Sequence, residues 1–321
     1  MNAASLAHRI IAGDRQAAAR LITRVELGDI GVSPILEHLY LNGGNARVVG
    51  VTGPPGAGKS TLVDSCVTMW RAAGKRVAVL AVDPSSPLSG GAVLGDRVRM
   101  GRHAGDPDVL IRSMAARGAL GGLAEAAGDA LTIIDALGFD IIVVETVGVG
   151  QSEIEVLTQA DVVIVLQTPE GGDGIQSVKA GLLEIADIFV VNKVDVAGAE
   201  RMVRNLREMV AHRKPTIEGW NTPVIPLQAN RGEGVSTLIA AVDDFFDCWR
   251  GSSDQGRERS IRRMQARVVA LAHGLLRRHL SGIQDDPDIN ALIAGTVSRT
   301  MDPHAAAHRL VARLADSQDR R

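Results

Sequence analysis

At 321 residues, with 45% hydrophobic and 22% charged residues, the chain can form one large α/β domain with smaller additions. A formal net charge of −2 gives no electrostatic case for nucleic-acid binding, which usually shows a basic domain or stripe, and aromatics at 2% leave few platforms for stacking bases. Two cysteines, Cys66 and Cys248, have neither metal nor redox spacing, and as reduced, packed hydrophobes they suit a reducing compartment.

No stretch approaches the length of a transmembrane helix. The first 26 residues alternate arginine with apolar residues, as a transit peptide does, but Asp14 and Glu26 break that pattern. The reading is a folded N-terminus and a cytoplasmic protein. Asp14 caps a predicted helix whose apolar face is Ala18, Leu21, Ile22 and Val25, ending at Gly28. Ser33-Pro34 opens a second short helix through Leu36, Leu39 and Tyr40, and Asn42-Gly43-Gly44-Asn45 breaks it. Residues 1–45 are therefore expected to be a helical N-terminal extension, too short to bury a core alone.

Next comes Gly53-Pro54-Pro55-Gly56-Ala57-Gly58-Lys59-Ser60, followed by Thr61, which fits the phosphate-binding pattern G-x-x-x-x-G-K-[ST]. An apolar strand, Arg47 to Val51, precedes it, and Leu62, Val63, Cys66, Val67 and Trp70 follow at helical spacing up to Gly74. The glycines let backbone N–H groups turn inward around phosphate oxygens, and the helix N-terminus adds partial positive charge. Lys59 is expected to reach the β- and γ-phosphates, and the Ser60 hydroxyl to ligate Mg²⁺. This is a nucleotide-binding element.

Further apolar runs follow at Val77–Val82, Ile141–Val144, Val162–Leu166, Ile188–Val191 and Val224–Leu227. Each is nearly continuously apolar, as strands buried on both faces of a mostly parallel sheet are. Leu120–Ala136 and Glu200–Val210 are long enough to be crossover helices. Residues 46–250 are thus predicted to be an α/β, doubly wound P-loop domain, with ligand groups at the carboxyl ends of the strands.

Candidate site residues sit at those ends. Asp83 follows the second run, and Asp96 lies beyond the Gly-rich stretch Ser89 to Gly95, a candidate switch loop. Glu145 stands where nucleotide switches usually carry aspartate, with the Gly148 amide placed to sense a γ-phosphate. Mg²⁺ keeps several waters and takes only one or two carboxylates, so Asp83, Asp96 and Glu145 cannot all ligate it at once. Gln151 is either a residue that orients the attacking water or a loop glutamine. Asn192-Lys193-Val194-Asp195 follows a strand directly and fits N-K-x-D, the guanine-reading element. The Asp195 carboxylate can accept from both the ring N–H and the exocyclic amine of guanine, an arrangement adenine lacks. Asn192 supports the loop, and the Lys193 stem can lie against the ring.

The stretch Gly251 to Gly256 reads as a linker. Beyond it Ile261, Met264, Val268, Leu271 and Leu275 recur at 3-4-3-4 spacing, a seam for lengthwise helix packing against either a second copy or the body. Residues 251–321 are expected to be a helical dimerisation arm. Asp302-Pro303 opens its last helix, where His304 and His308 lack a third metal ligand and read as surface histidines.

Three runs carry a family resemblance: Val82 to Ser86, Ile111 to Gly118, and Glu145-Thr146-Val147-Gly148-Val149-Gly150-Gln151-Ser152-Glu153. In these the chain resembles the methylmalonyl-CoA mutase-associated GTPases, the MeaB-like proteins once described as arginine/ornithine transport kinases. The resemblance spans essentially the whole chain, including Gly219 to Val224 and the C-terminal helices. It implies a homodimeric GTPase that acts as chaperone of an adenosylcobalamin-dependent acyl-CoA mutase, coupling hydrolysis to cofactor loading and protection. It places Lys59, Ser60, Asp83, Asp96 and Glu145 at phosphate and magnesium, and Asn192, Lys193 and Asp195 at the base. One departure is Gln228-Ala229-Asn230, where GTPases commonly carry Ser-Ala-x; the Ala229 N–H is still expected at the guanine oxygen. Arg97, Arg99 and Arg117 are candidate arginine fingers. Competing readings are a nickel metallochaperone GTPase, which would need a Cys/His cluster, and a small-molecule or protein kinase, which N-K-x-D opposes. A signal-recognition-type GTPase would need a Met-rich domain.

Overall fold

The computed structural model describes residues 3–84, 101–103, 105–116, 122–146, 155–169, 184–215, 217–251, 253–282 and 287–318. They form two compact units, Met1–Arg267 and Val268–Arg321.

The first unit is built on a parallel sheet of β1 (Arg47–Thr52), β2 (Val77–Pro84), β3 (Val109–Ala116), β4 (Ile141–Thr146), β5 (Val162–Gln167), β6 (Ile188–Val191) and β7 (Val224–Pro226). Their order is β3-β2-β4-β1-β5-β6-β7, every pairing parallel. The predicted doubly wound sheet is present. β3 was not among the expected strands. Arg112 and Ser113 interrupt its apolar run, and the edge position explains them, because Arg112 pairs with Glu26 of the N-terminal extension.

Alternating strand residues bury on opposite faces. Val49, Val51, Val79, Val143, Ile164 and Val190 face one core, shared with α4 (Lys59–Ala72) and α7 (Val235–Gly251). Leu80, Val82, Ile142 and Val144 face another, built with α1 (Ala3–Ile11), α2 (Arg15–Glu26), α3 (Ser33–Leu41) and α5 (Gly122–Ala136). α6 (Ala199–Ala211) covers Val165, Phe189 and Val191. Asp14 caps α2 by accepting from the Ala17 N–H at 2.9 Å, and Ala17, Ala18, Leu21, Ile22 and Val25 are its buried face. α1, which sequence patterning did not reveal, packs against α3 and buries Ala7 and Ile10. The extension shares the core of the sheet.

Where a linker was expected, α8 (Ser253–Gly282) begins instead, and its first half belongs to the first unit. Arg259, Arg263 and Arg267 recur every four residues along one side of it. Arg259 pairs with fully buried Asp187 at 2.6 Å, Arg263 with Asp161, and Arg267 lies 3.7 Å from Asp129. Their guanidiniums lie over Phe245, Trp249 and Tyr40 respectively. Two of those carboxylates also cap strands: Asp187 accepts from Val163 N–H at 2.8 Å and Asp161 from Val48 N–H at 2.7 Å. The arginine series therefore fastens α8 to the amino-terminal edge of the sheet.

In the second unit α9 (Pro287–Val297) packs against α10 (Pro303–Gln318). Asp302 caps α10 by accepting from the His304 and Ala305 N–H groups at 2.9 and 3.0 Å. His304 and His308 are exposed.

Candidate functional site

The carboxyl edge of the sheet gathers the predicted chemistry. β1 leads into the glycine loop, and β4 lies beside it with Val51 opposite Glu145. On its other side β1 meets β5, with Thr52 opposite Val165. Two glycines are required by space as well as conformation. A Cβ on Gly53, at φ 153°, would stand 2.5 Å from the Leu166 carbonyl oxygen. A Cβ on Gly58, at φ 89°, would stand 2.4 Å from Asn192 Nδ2. Gly58 is the residue from which α4 springs, so the helix N-terminus points into the loop.

Lys59 is buried at 6% exposure, and its ammonium donates to the carbonyls of Gly53 at 2.9 Å and Pro54 at 3.0 Å. It spans the loop it belongs to. Its neighbour Ser60 donates its hydroxyl to Glu145 Oε1 at 2.7 Å. The two residues are far apart in sequence, and the β1–β4 pairing brings them together at the start of α4. Glu145 is 1% exposed, and beside it Thr146 Oγ1 donates to Thr52 Oγ1 at 2.9 Å. A hydroxyl and a carboxylate converging at a phosphate-binding helix offer oxygen ligands only, the donor set that suits Mg²⁺. Asp83 stands in β2 one position beyond Val82, which pairs with Thr146, so it falls at the same edge. Asp96, Gly148, Gln151 and the candidate fingers Arg97, Arg99 and Arg117 lie outside the described residues.

The base-reading segment leaves β6 on the other side of β5. Asn192 is buried at 3% exposure and makes two contacts that join separate loops. Its Nδ2 donates to the Ala57 carbonyl at 2.7 Å, and its Oδ1 accepts from the Ala229 N–H at 3.0 Å. The Ala229 N–H, expected at the guanine oxygen, is in this structure donated to Asn192. Ser65 of α4 holds the same loop, donating to the Ala229 carbonyl at 2.9 Å. Sequence patterning did not single out Ser65, Thr52 or Thr146. A lone hydroxyl carries no spacing signal, although Thr52 directly precedes the glycine loop. Lys193 takes the left-handed conformation at φ 59°, unusual for a residue with a side chain, and the turn leaves Asp195 exposed. Gln228 is buried and opens the short turn Ala229–Arg231 that includes Asn230.

The arrangement can hold a guanine nucleotide from both ends. Loop amides and Lys59 are the groups it can offer to phosphates, Ser60 and Glu145 to a cation, and Asp195 to a base. Cys66 of α4 takes no part: burial pushes its thiol up to about 12.

The family model described as "Methylmalonyl Co-A mutase-associated GTPase MeaB" matches residues 18–283. A Pyrococcus horikoshii protein described as a GTPase is 42% identical over 312 residues, covering 96% of this chain and 97% of that protein. The GTPase ArgK of Escherichia coli is 36% identical over 279 residues, 83% of this chain and 82% of that one. The mouse "Methylmalonic aciduria type A homolog, mitochondrial" is 39% identical over 200 residues, 61% of this chain and 48% of the mouse protein. Among solved structures, one titled LAO/AO transport system kinase aligns with a TM-score of 0.71 and 26% identity, over 98% of this chain and 99% of the other.

Proposed function

The chain belongs to the methylmalonyl Co-A mutase-associated GTPase family, MeaB, and is a GTP hydrolase; from that premise we propose that it serves as chaperone of an adenosylcobalamin-dependent acyl-CoA mutase. In this reading GTP hydrolysis is coupled to loading the mutase with cofactor and protecting it. The observation that carries the chemistry is the Ser60–Glu145 contact beside Lys59 at the mouth of α4. The family description and the mouse relative's name support the client. The protein acts in the cytoplasm as a homodimer, with residues 251–321 as the dimerisation arm.

Each role follows from position. The loop amides from Gly53 to Thr61 and the N-terminus of α4 bind the phosphates. Lys59 exchanges its carbonyl partners for β- and γ-phosphate oxygens and offsets the negative charge that builds as the terminal phosphoryl group leaves. Ser60 and Glu145 would hold Mg²⁺, with Asp83 and Asp96 engaged in particular nucleotide states; when bound, the ion would supply positive charge to the phosphates. Gln151 orients the attacking water. Asp195 reads the guanine edge, Lys193 covers the ring with its stem, and Asn192 keeps that loop and the glycine loop at fixed separation. Mutase binding completes the site and raises the rate of hydrolysis.

Hydrolysis of GTP by the purified protein, alone and with a panel of adenosylcobalamin-dependent mutases, tests this. A GTP-specific rate that one mutase raises, and that Lys59→Ala abolishes, supports the chaperone. A rate indifferent to every mutase sinks the client assignment. Transfer of phosphate to an acceptor other than water would favour a kinase instead.

A further inference from the structure

The amino-terminal edge of the sheet, remote from the glycine loop, carries a cleft of about 580 Å³. That volume lies within the range of small-ligand sites. Its lining includes apolar Ile185 before β6 and Ala266 of α8, backed by buried Leu157, ahead of β5, and Val163, at its start. Five basic side chains, from α8 and from the segment after α6, face it.

Two of the five are already spent. Arg259 is bound to buried Asp187 and Arg263 to Asp161. Among the described residues Arg262 pairs with Glu258 one turn away, with both side chains largely in solvent, a pairing of little strength. Arg213 and Lys214 differ from these. Arg213 donates to the carbonyls of Ala186 and Glu184, each at 2.6 Å. Two neutral acceptors fix its guanidinium in place without cancelling its charge, and burial lowers its pKa, partly countered by Asp187. Lys214, the next residue, is exposed and makes no hydrogen bond or ion pair with the described residues. The facing carboxylates are Glu184 and Glu258, fewer than the cations.

A pre-positioned planar fork beside an exposed ammonium, in a cleft partly lined by apolar side chains, suits one chemistry. A carboxylate would be satisfied by the arginine alone, whereas a tetrahedral dianion has charge and acceptors for both. We infer that this cleft binds a phosphate group, either free or carried on an organic ester whose apolar part lies along the apolar lining.

Isothermal titration of inorganic phosphate and of hexyl phosphate into the full chain tests the site, with the protein first saturated with GDP so that the glycine loop is filled. Saturable binding is expected in the GDP-loaded protein, weakened at least tenfold by Lys214→Glu and several-fold by Arg262→Glu. Both variants should hydrolyse GTP at the unaltered rate, which separates this cleft from the nucleotide site. Tighter binding of hexyl phosphate identifies an ester as the source, and equal binding identifies free phosphate; either supports the cleft if Lys214→Glu removes it. No saturable binding of either probe, or affinities unchanged in Lys214→Glu, overturns the inference.

Discussion

Asn192 and Asp195 stand three residues apart and carry different loads. Asn192 supplies a buried donor to Ala57 and a buried acceptor to Ala229, so Asn192→Ala strands two polar groups at once. That should cost about 2–6 kcal/mol in urea unfolding of the nucleotide-free protein, at roughly 1–3 kcal/mol per stranded group; an unchanged midpoint would contradict the bridge. Asp195 is exposed, and the load proposed for it is recognition. Asp195→Asn replaces one acceptor by a donor, which mismatches the guanine amine but matches the carbonyl of xanthine at that position. Its kcat/KM for GTP should fall by about ten-thousandfold, as when a site's polar partner is removed, while XTP becomes the better substrate. Equal loss for both nucleotides would argue against base reading by this residue. The G-x-x-x-x-G-K-S and N-K-x-D patterns were legible in the sequence because backbone geometry dictates them locally. The link between them through Asn192 was not, since it depends on where β6 lies relative to β1.

Strands and helices were legible where burial is two-sided or periodic: β1, β2, β4, β5, β6 and α2 all follow their apolar patterns. β3 was obscured because an edge strand can carry Arg112 and Ser113, and its second neighbour is a helix from residues far upstream. The role of α8 was hidden for the same reason. Arg259, Arg263 and Arg267 read as a solvated face until the sheet presents Asp187, Asp161 and Asp129 to them. Arg259→Met should cost about 3–5 kcal/mol, because Asp187 would remain charged without its partner. Arg262→Met, on the exposed side, should stay within about 0.5 kcal/mol. Chemical denaturation of the two variants decides whether the series is structural. α5 adds a pH-dependent effect. Burial raises the pKa of Asp135, opposed by the Ala46 N–H that it accepts at 2.8 Å and by Arg263. The unfolded chain therefore loses this proton first, and stability falls as pH rises from the ordinary carboxyl value to the raised one, then levels. Asp135→Asn keeps the acceptor and removes the buried charge. Its unfolding midpoint should exceed that of the natural protein at pH 7, and the gap should close below about pH 4, where both side chains are neutral.

At the scale of the molecule, the first unit holds the whole described nucleotide site, and α8 is the element that crosses into the second. Val268 and Leu275 of the predicted seam are exposed and lie beyond Arg267 in α8, so Val268→Glu/Leu275→Glu leaves the arginine series intact. The double variant should unfold cooperatively and still hydrolyse GTP, while light scattering reports half the mass of the proposed dimer. A variant of unaltered oligomeric state would remove dimerisation from the seam. The order of the strands also governs how the molecule comes into being. β1 is made early, yet the partners on its two sides, β4 and β5, follow only after roughly a hundred further residues, a separation that slows folding. A ribosome adding about 5–20 residues per second leaves both edges of β1 bare for on the order of ten seconds. The glycine loop is thus synthesised first and enclosed late, and until β5 is in place the chain cannot hold the nucleotide that would stabilise it.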